Sequence, residues 1–173
     1  MEYRFQCTYD LRALTAMNRA MRKTVRKKRS RRTHIFGWIV FAVGAALAAG
    51  DIAGGKFSAR TGFTLLWCAL LLTVLIFEDA LNARISRRRM LSGIEKTEVV
   101  FTPDGFTSHS EAGMTEWKYS RIRAVAETED YFVFALDENY GQIYNKSTLT
   151  GGTAEEFSAF IAEKTGTAIQ KIR

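Results

Sequence analysis

The sequence is poor in the residues that build disulfide, metal and catalytic sites. It has two cysteines, Cys7 and Cys68, and two histidines, His34 and His109. The cysteines are far apart and Cys68 lies in an apolar stretch, so neither a disulfide framework nor a CxxC or zinc site is indicated. We therefore expect a reducing compartment for any soluble part, and we expect no metal and no cofactor.

Catalytic motifs are also missing from the sequence. It contains no HExxH motif, no phosphate-binding loop and no pair of carboxylates with an obvious role. No acid is spaced to orient His109 as a base, and His34 lies at a predicted membrane border. We expect both histidines to be exposed turn residues, we predict no catalytic residue, and we expect the chain not to be an enzyme.

Charge is spread unevenly along the 173 residues, whose net charge is +7. Residues 1–33 carry 11 basic and 2 acidic side chains, residues 34–93 carry 6 and 3, and residues 94–173 carry 8 and 13. The chain therefore begins with a basic segment and ends with an acidic one. Its 47% content of apolar residues is too high for a disordered protein.

Two long apolar stretches follow the basic segment. Residues 34–55 have their first charge at Asp51, and residues 61–77 have none. Each is close to the roughly 17 to 25 residues that a membrane-spanning helix needs. We predict transmembrane helices at 34–55 and 61–79. The alternative, core helices of a soluble protein, is disfavoured because neither stretch shows a polar stripe.

Basic residues predict the orientation of these spans. Nine lie between Arg19 and Arg32 and four follow the second span, whereas only Lys56 and Arg60 lie in the connection. The positive-inside rule then places both termini in the cytoplasm and makes the chain a multi-pass plasma-membrane hairpin. A rival interpretation is an export signal over residues 30–48, with Ala46 to Ala48 as the cleavage site. The second span argues against it.

The basic run RKTVRKKRSRR, residues 22–32, could neutralise either nucleic acid or phospholipid. Nucleic-acid binding would leave the adjoining spans unexplained, so we predict an anchor on an anionic inner leaflet. The predicted membrane-surface residues are Arg22, Lys23, Arg26, Lys27, Lys28, Arg29, Arg31, Arg32, Arg87, Arg88 and Arg89. The run could also hold the acidic C-terminal segment.

Residues 1–33 are predicted to form a strand and a basic amphipathic helix. Apolar residues alternate with polar ones from Tyr3 to Tyr9, which is typical of a strand with one buried face. Asp10 can cap a helix whose apolar side includes Leu14, Met17 and Met21. We expect that side to lie on the inner leaflet. We further hypothesise that the strand pairs with the C-terminal sheet, because an unpaired edge is prone to aggregate.

Residues 94–173 are predicted to form a cytoplasmic α+β domain. Short strands are separated by turn signals such as Pro103-Asp104-Gly105, which indicates an antiparallel barrel or sandwich. A capping box at Thr153 and Glu156 opens one C-terminal helix that ends at Gly166. This is the outline of a pleckstrin-homology-like (PH-like) domain. We expect the charge run from Glu127 to Asp130 to be a solvated strand end.

This domain also resembles a known family. Its Asp104-Gly105 turn, the residues Trp117, Ile122, Val125 and Glu127, and the Tyr131-Phe132-Phe134 strand are similar to the YcxB-like domain of bacterial membrane proteins. That family has a similar architecture of a short N-terminal segment, two spans and this domain. The resemblance implies a PH-like fold and a bacterial source, and it implies no catalytic residues. One departure is Asn145, where such proteins often have a proline.

Two functions from different classes remain. The acidic domain could be a protein-interaction or regulatory module, or it could sense anionic lipid through a small headgroup patch at Lys118, Arg121 and Arg123. Electrostatics favours the module, because an anionic leaflet repels an acidic domain. The expected partners are the bilayer and an unidentified protein. A small-residue face at Ala42, Ala46 and Gly50 would pack against the second span or a second copy of the chain.

Overall fold

The computed structural model describes residues 2–172. Over this range the chain forms four α-helices and eight β-strands, and it divides into two compact units. The first, which we call the sheet unit, contains the chain up to Lys27 and from Asn82 onward. The second, the hairpin unit, contains Lys28–Leu81. The segments on either side of the hairpin unit therefore fold together.

The first sheet of the sheet unit joins both ends of the chain. Its antiparallel order is β1 (Tyr3–Thr8), β2 (Lys96–Phe101), β3 (Phe106–Ser110) and β4 (Gly113–Trp117). Tyr3 lies opposite Phe101 and Thr8 opposite Lys96. The alternating residues of β1 place Tyr3, Phe5 and Cys7 in the core, which confirms the hypothesis that the N-terminal strand pairs with the C-terminal sheet.

The second sheet has the order β7 (Gly141–Asn145), β6 (Tyr131–Ala135), β5 (Ala124–Glu127) and β8 (Gln170–Lys171), with β5 and β8 parallel. Every residue of β6 is buried, so both faces of the sheet are covered. Asn145 accepts a hydrogen bond from the Ser147 backbone and opens a short turn. Among residues 2–172 the two sheets do not close into a barrel.

Helix α4 (Ala154–Thr165) lies near the C-terminus and completes the core. Its predicted capping box is present, and Gly166 ends it in the left-handed conformation that favours glycine. The ring of Phe157 lies 4.8 Å from that of Phe5, 4.9 Å from that of Phe101 and 5.1 Å from that of Phe132. The helix and both sheets thus share one aromatic core.

Helix α1 (Leu11–Lys23) covers the other face of the second sheet. Ala13 and Ala20 pack with Ala126, Val133 and Ile143, and Arg12 forms an ion pair with Asp130 at 2.7 Å. The expectation that the apolar side of this helix lies on the membrane is therefore wrong. The outer face of the sheet is itself apolar, and small alanines let the helix approach it closely.

The hairpin unit consists of residues from α2 (Lys27–Ala53) and α3 (Ala59–Arg89). Both helices are long and apolar enough to cross a membrane, with a mean hydropathy of 1.9 in each best window. They meet at Gly37, Gly44 and Ala48, and a Cβ on Gly44 would lie 2.8 Å from the Cys68 sulfur. The predicted small face of Ala42, Ala46 and Gly50 is exposed, so α3 does not fill it.

Polar pairs join the two helices near both ends of the hairpin unit. Thr61 donates a hydrogen bond to Asp51 at 2.9 Å, and His34 Nε2 pairs with Glu78 Oε2. His34 is therefore half-buried within α2, and the expectation of an exposed turn residue is wrong. His109 is exposed, but it lies in β3 rather than in a turn.

Candidate functional site

The sheet unit contains a pocket of about 570 Å³, which we name the amphipathic pocket. Its lining combines one face of β2 to β4, the side of α1, the last turns of α3 and the turn before β7. All of these segments belong to the sheet unit. The volume lies in the range of roughly 300 to 1,000 Å³ typical of small-molecule sites.

The strand register explains why a pocket forms here. Along the inner face of the first sheet, Phe101, Phe106 and Trp117 lie side by side and fill the core. Further along the same face the residues are small and polar: Thr97, Ser108, Ser110, Gly113 and Thr115. These side chains are too short to reach the opposite wall, so the floor of the pocket is lined with hydroxyl groups.

The last turns of α3 form one wall. Asn82, Ile85, Ser86 and Arg89 all line the pocket, and their spacing of three and four residues places them on one helix face. Leu14 and Met17 of α1 line it as well. The walls therefore combine apolar side chains with the polar Asn82, Ser86 and Arg89, whereas the floor is polar.

Among residues 2–172, two cations line the pocket, Arg26 and Arg89, and no carboxylate does. The Arg26 Nε–H donates a hydrogen bond to the carbonyl oxygen of Glu138, which holds this arginine against the turn before β7. Because the C-terminal segment is acidic overall, this positive lining is a local exception. An anionic group would be favoured here by charge.

Aromatic side chains close one side of the pocket. Trp117 and Tyr140 stack with ring centroids 5.7 Å apart. Trp117 Nε1 is buried, and within residues 2–172 it has no hydrogen-bond partner. A buried donor without an acceptor costs about 1 to 3 kcal/mol.

The pocket also contains a buried phenol and buried amides. Burial raises the pKa of Tyr9 well above its usual range, so its hydroxyl stays protonated even in alkaline solution. Asn18 donates to the Leu14 carbonyl at 2.8 Å, and Gln142 accepts a hydrogen bond from the Tyr144 hydroxyl. Fixed polar groups beside apolar walls are suited to binding an amphiphilic small molecule.

The structure distributes the predicted membrane-surface residues over three elements. Arg22 and Lys23 lie in the last turn of α1, and Arg87 to Arg89 lie in the last turn of α3. Exposed side chains in the first turns of α2 are Lys27, Lys28, Arg29, Arg31 and Arg32. Of the whole set, only Arg26 and Arg89 line the pocket. Contact with lipid stays a prediction for all of them.

The predicted headgroup patch lies elsewhere. Lys118, Arg121 and Arg123 are all exposed, and none of them lines the amphipathic pocket. Arg123 is 3.3 Å from Asp137, so part of its charge is already compensated.

The acidic run after β5 is more structural than we expected. Glu127 is about 17% exposed and forms an ion pair with Lys146 at 2.7 Å, while the ammonium group lies 4.9 Å from the centre of the Phe132 ring. Asp130 binds Arg12 of α1. The expectation of a solvated strand end is therefore wrong for Glu127, whereas Asp130 is exposed as expected. Glu127 ties the turn after β7 to β5, and Asp130 ties α1 to the second sheet.

The fold defines a class of protein in which a two-sheet domain is interrupted by two apolar helices. Residues 101–161 match the family described as YcxB-like protein. The match runs from the end of β2 into α4, so this segment is similar to the YcxB-like family, as the sequence resemblance predicted. It covers about a third of the chain and leaves out β1, α1 and the hairpin unit. No curated protein matches the chain.

Sequence reasoning missed the amphipathic pocket. Two signals for it were present: the small polar residues at alternate positions of β3 and β4, and the spacing of residues 82, 85, 86 and 89 after the second apolar stretch. Neither pattern shows that the two segments meet.

Proposed function

We propose that this chain is a two-span membrane protein of the bacterial plasma membrane that presents a PH-like domain to the cytoplasm as a protein-interaction or regulatory module, without catalytic activity. The observation that carries the proposal is the pairing of β1 with β2. One strand precedes the two apolar helices and the other follows them. Because a sheet cannot form across a bilayer, this pairing supports a hairpin with both ends on one side of the membrane.

The distribution of charge favours the cytoplasmic side. Basic residues flank both helices on the side of the sheet unit, whereas the connection holds only Lys56 and Arg60. Cleavage of an export signal after Ala48 would remove β1 and α1 and uncover both sheets. The soluble alternative is also disfavoured, because only 11% and 0% of the two apolar windows are buried.

The strand order supports a PH-like domain. Four antiparallel strands are followed by three more and then by a helix whose Phe157 enters the core between them. Within the described residues β4 is an edge strand with no strand partner on its outer side. Such an edge can pair with an extended segment of a partner protein. Met114, 59% exposed, lies on this strand.

Lipid sensing by Lys118, Arg121 and Arg123 is the second candidate. The exposure of all three side chains supports it. Against it stand the contact between Arg123 and Asp137 and the acidic composition of the C-terminal segment.

Cysteine labelling in cells tests the topology. Both native cysteines are buried, so Lys56→Cys and Ser120→Cys each add one exposed thiol. A membrane-impermeant maleimide should label Lys56→Cys on intact spheroplasts and Ser120→Cys only after lysis. Labelling of Ser120→Cys on intact spheroplasts would overturn the proposal.

Crosslinking in membranes tests whether the domain is a protein-interaction module. A photo-crosslinking residue at Met114 of the full chain should capture a protein, whereas the same residue at Glu155, exposed on α4, should not. Equal capture at both positions would contradict an interface on β4. If the capture at Met114 is absent and Lys118→Gln with Arg121→Gln abolishes salt-sensitive binding to anionic vesicles, lipid sensing replaces the module.

A further inference from the structure

We infer that the amphipathic pocket is a binding site for an amphiphilic anion, a molecule with one phosphate or carboxylate group attached to an apolar body of lipid size. This goes beyond the proposed module, because the site lies within the sheet unit and does not depend on a protein partner.

Charge selects an anion. Arg26 and Arg89 line the pocket without any carboxylate among the lining residues, so a cationic ligand would be repelled. Both arginines border the apolar helices: Arg26 immediately precedes α2, and Arg89 ends α3. The two arginines that line the pocket therefore come from the segments on either side of the hairpin unit, and not from the acidic C-terminal segment.

Hydrogen-bond donors select an oxygen-rich group. The floor presents four hydroxyls, of which those of Thr97 and Ser110 donate to the carbonyl oxygens of Ile94 and Gly113. Those of Ser108 and Thr115 form no side-chain hydrogen bond within residues 2–172, so they can donate to a ligand beside the guanidinium groups of Arg26 and Arg89. Phosphate and carboxylate oxygens accept such bonds, and those to ionised acceptors are about twice as strong as neutral ones.

The walls select an apolar body. Leu14, Met17, Ile85 and Met90 line the pocket beside its polar floor. Methionine side chains adapt to ligands of varied shape, which suits a flexible chain. A free inorganic anion would leave these walls in contact with water, so it should bind much more weakly than an amphiphile.

The inner leaflet is one source of such a molecule. In the sequence Asn82, the first pocket residue of α3, follows Asp79, where we predict that the second span ends, by three residues. The leaflet as a source depends on the proposed membrane hairpin, whereas the pocket itself does not. A water-soluble amphiphile with the same anionic group and apolar body would fit the pocket equally well.

Tryptophan fluorescence of the full chain tests the site. Of three tryptophans, Trp38 and Trp67 lie in the hairpin unit, so replacing both with phenylalanine leaves Trp117 as the reporter. The chain is placed in phosphatidylcholine nanodiscs and titrated with short-chain phosphatidylglycerol and, separately, with inorganic phosphate. We expect a saturable change with the first and none with phosphate at the same concentrations. No saturable change with the lipid would overturn the inference.

Matched arginine variants test whether binding depends on the two arginines of the pocket. Arg26→Gln combined with Arg89→Gln should weaken binding by roughly tenfold or more. Arg19→Gln combined with Arg84→Gln removes the same charge from exposed positions on α1 and α3 outside the pocket, and it should change the affinity less than about twofold. Equal weakening in both pairs would mean non-specific attraction and would refute the site.

A third variant keeps the test decisive if the loss of Arg26 impairs folding. Ser108→Leu fills the floor of the pocket and leaves both arginines in place. We expect it to abolish the response of Trp117 while the urea midpoint stays close to that of the parent. Retained binding in this variant would contradict the inference.

Nanodisc composition then identifies the source. If phosphatidylglycerol in the bilayer already produces the shifted signal, the ligand enters from the leaflet. If only the dissolved amphiphile does so, the site binds a soluble ligand. A positive titration together with absent crosslinking at Met114 would leave the pocket established and the protein-interaction proposal refuted.

Discussion

Burial controls the ionisation of individual side chains in the aromatic core. Cys7 is 3% exposed, and burial raises its pKa from 9.0 to about 12. Burial also raises the pKa of Tyr144, with smaller contributions from Tyr9 and Cys7. All of these groups are neutral at physiological pH, and folding keeps them so in mildly alkaline solution.

The shifted pKa of Cys7 predicts a loss of stability in alkali. Below pH 9 the thiol is protonated in both states, and its contribution is fully present. Between about pH 9 and 12 the unfolded chain ionises first, so the free energy of unfolding falls by up to about 1.4 kcal/mol per pH unit from this group. Urea unfolding at several pH values should show a shallower decline for Cys7→Ser than for the parent. Identical slopes would mean that Cys7 ionises normally when folded.

At the scale of elements, local signals predicted the strands and α4 well. The alternation from Tyr3 to Thr8 and the capping box at Thr153 are complete within a few residues, so sequence alone was sufficient. The partner of α1 was not predictable in this way. An apolar helix face fits a membrane and a sheet equally well, and only the long-range contact with Val133 and Ile143 decides between them.

The same ambiguity applies to the apolar helices. The first contains two faces of small residues, one with Gly37, Gly44 and Ala48 and the other with Ala42, Ala46 and Gly50. The regular four-residue spacing of Ala42, Ala46 and Gly50 alone favoured the second face as the helix contact. The structure uses the first, because Cys68 and Leu75 of α3 lie against Gly44 and Gly37.

Helix packing in the hairpin unit therefore predicts different effects at two glycines. Gly44→Leu should separate the helices, because even a Cβ would lie 2.8 Å from the Cys68 sulfur. Gly50→Leu is the matched control, since no atom lies within 4 Å of its Cβ position. The measurement is the thermal midpoint of helix unfolding in detergent, followed by circular dichroism. Gly44→Leu should lower it by several degrees, and equal midpoints in the two variants would contradict the observed contact face.

At the scale of the whole molecule, the amphipathic pocket was beyond sequence analysis. Its lining comes from α1, the end of α3, the first sheet and the turn before β7, which are far apart in the chain. Each segment has an ordinary local pattern. The site exists only because β1 pairs with β2 and brings the two ends of the chain into one unit.

The hairpin unit is consequently an insertion in the sheet unit. Every residue of the three hydrophobic clusters in the sheet unit comes from before Lys27 or after Asn82. Nothing in those clusters depends on the apolar helices, so the sheet unit has a complete core of its own. Its stability should then depend on β1 and not on the membrane.

Replacing residues 28–81 with a flexible Gly/Ser linker tests this independence. A linker of about ten residues spans roughly 18 Å, and the resulting protein should be water-soluble and unfold cooperatively in urea. In this background Phe5→Ala should lower the free energy of unfolding by about 3 to 5 kcal/mol, because Phe5 is fully buried among aromatic rings. Gln6→Ala, next to it but exposed, should change it by less than about 0.5 kcal/mol. Equal effects at the two positions would mean that β1 does not belong to the sheet in solution. A soluble protein with no cooperative transition would instead show that the sheet unit needs its hairpin to fold.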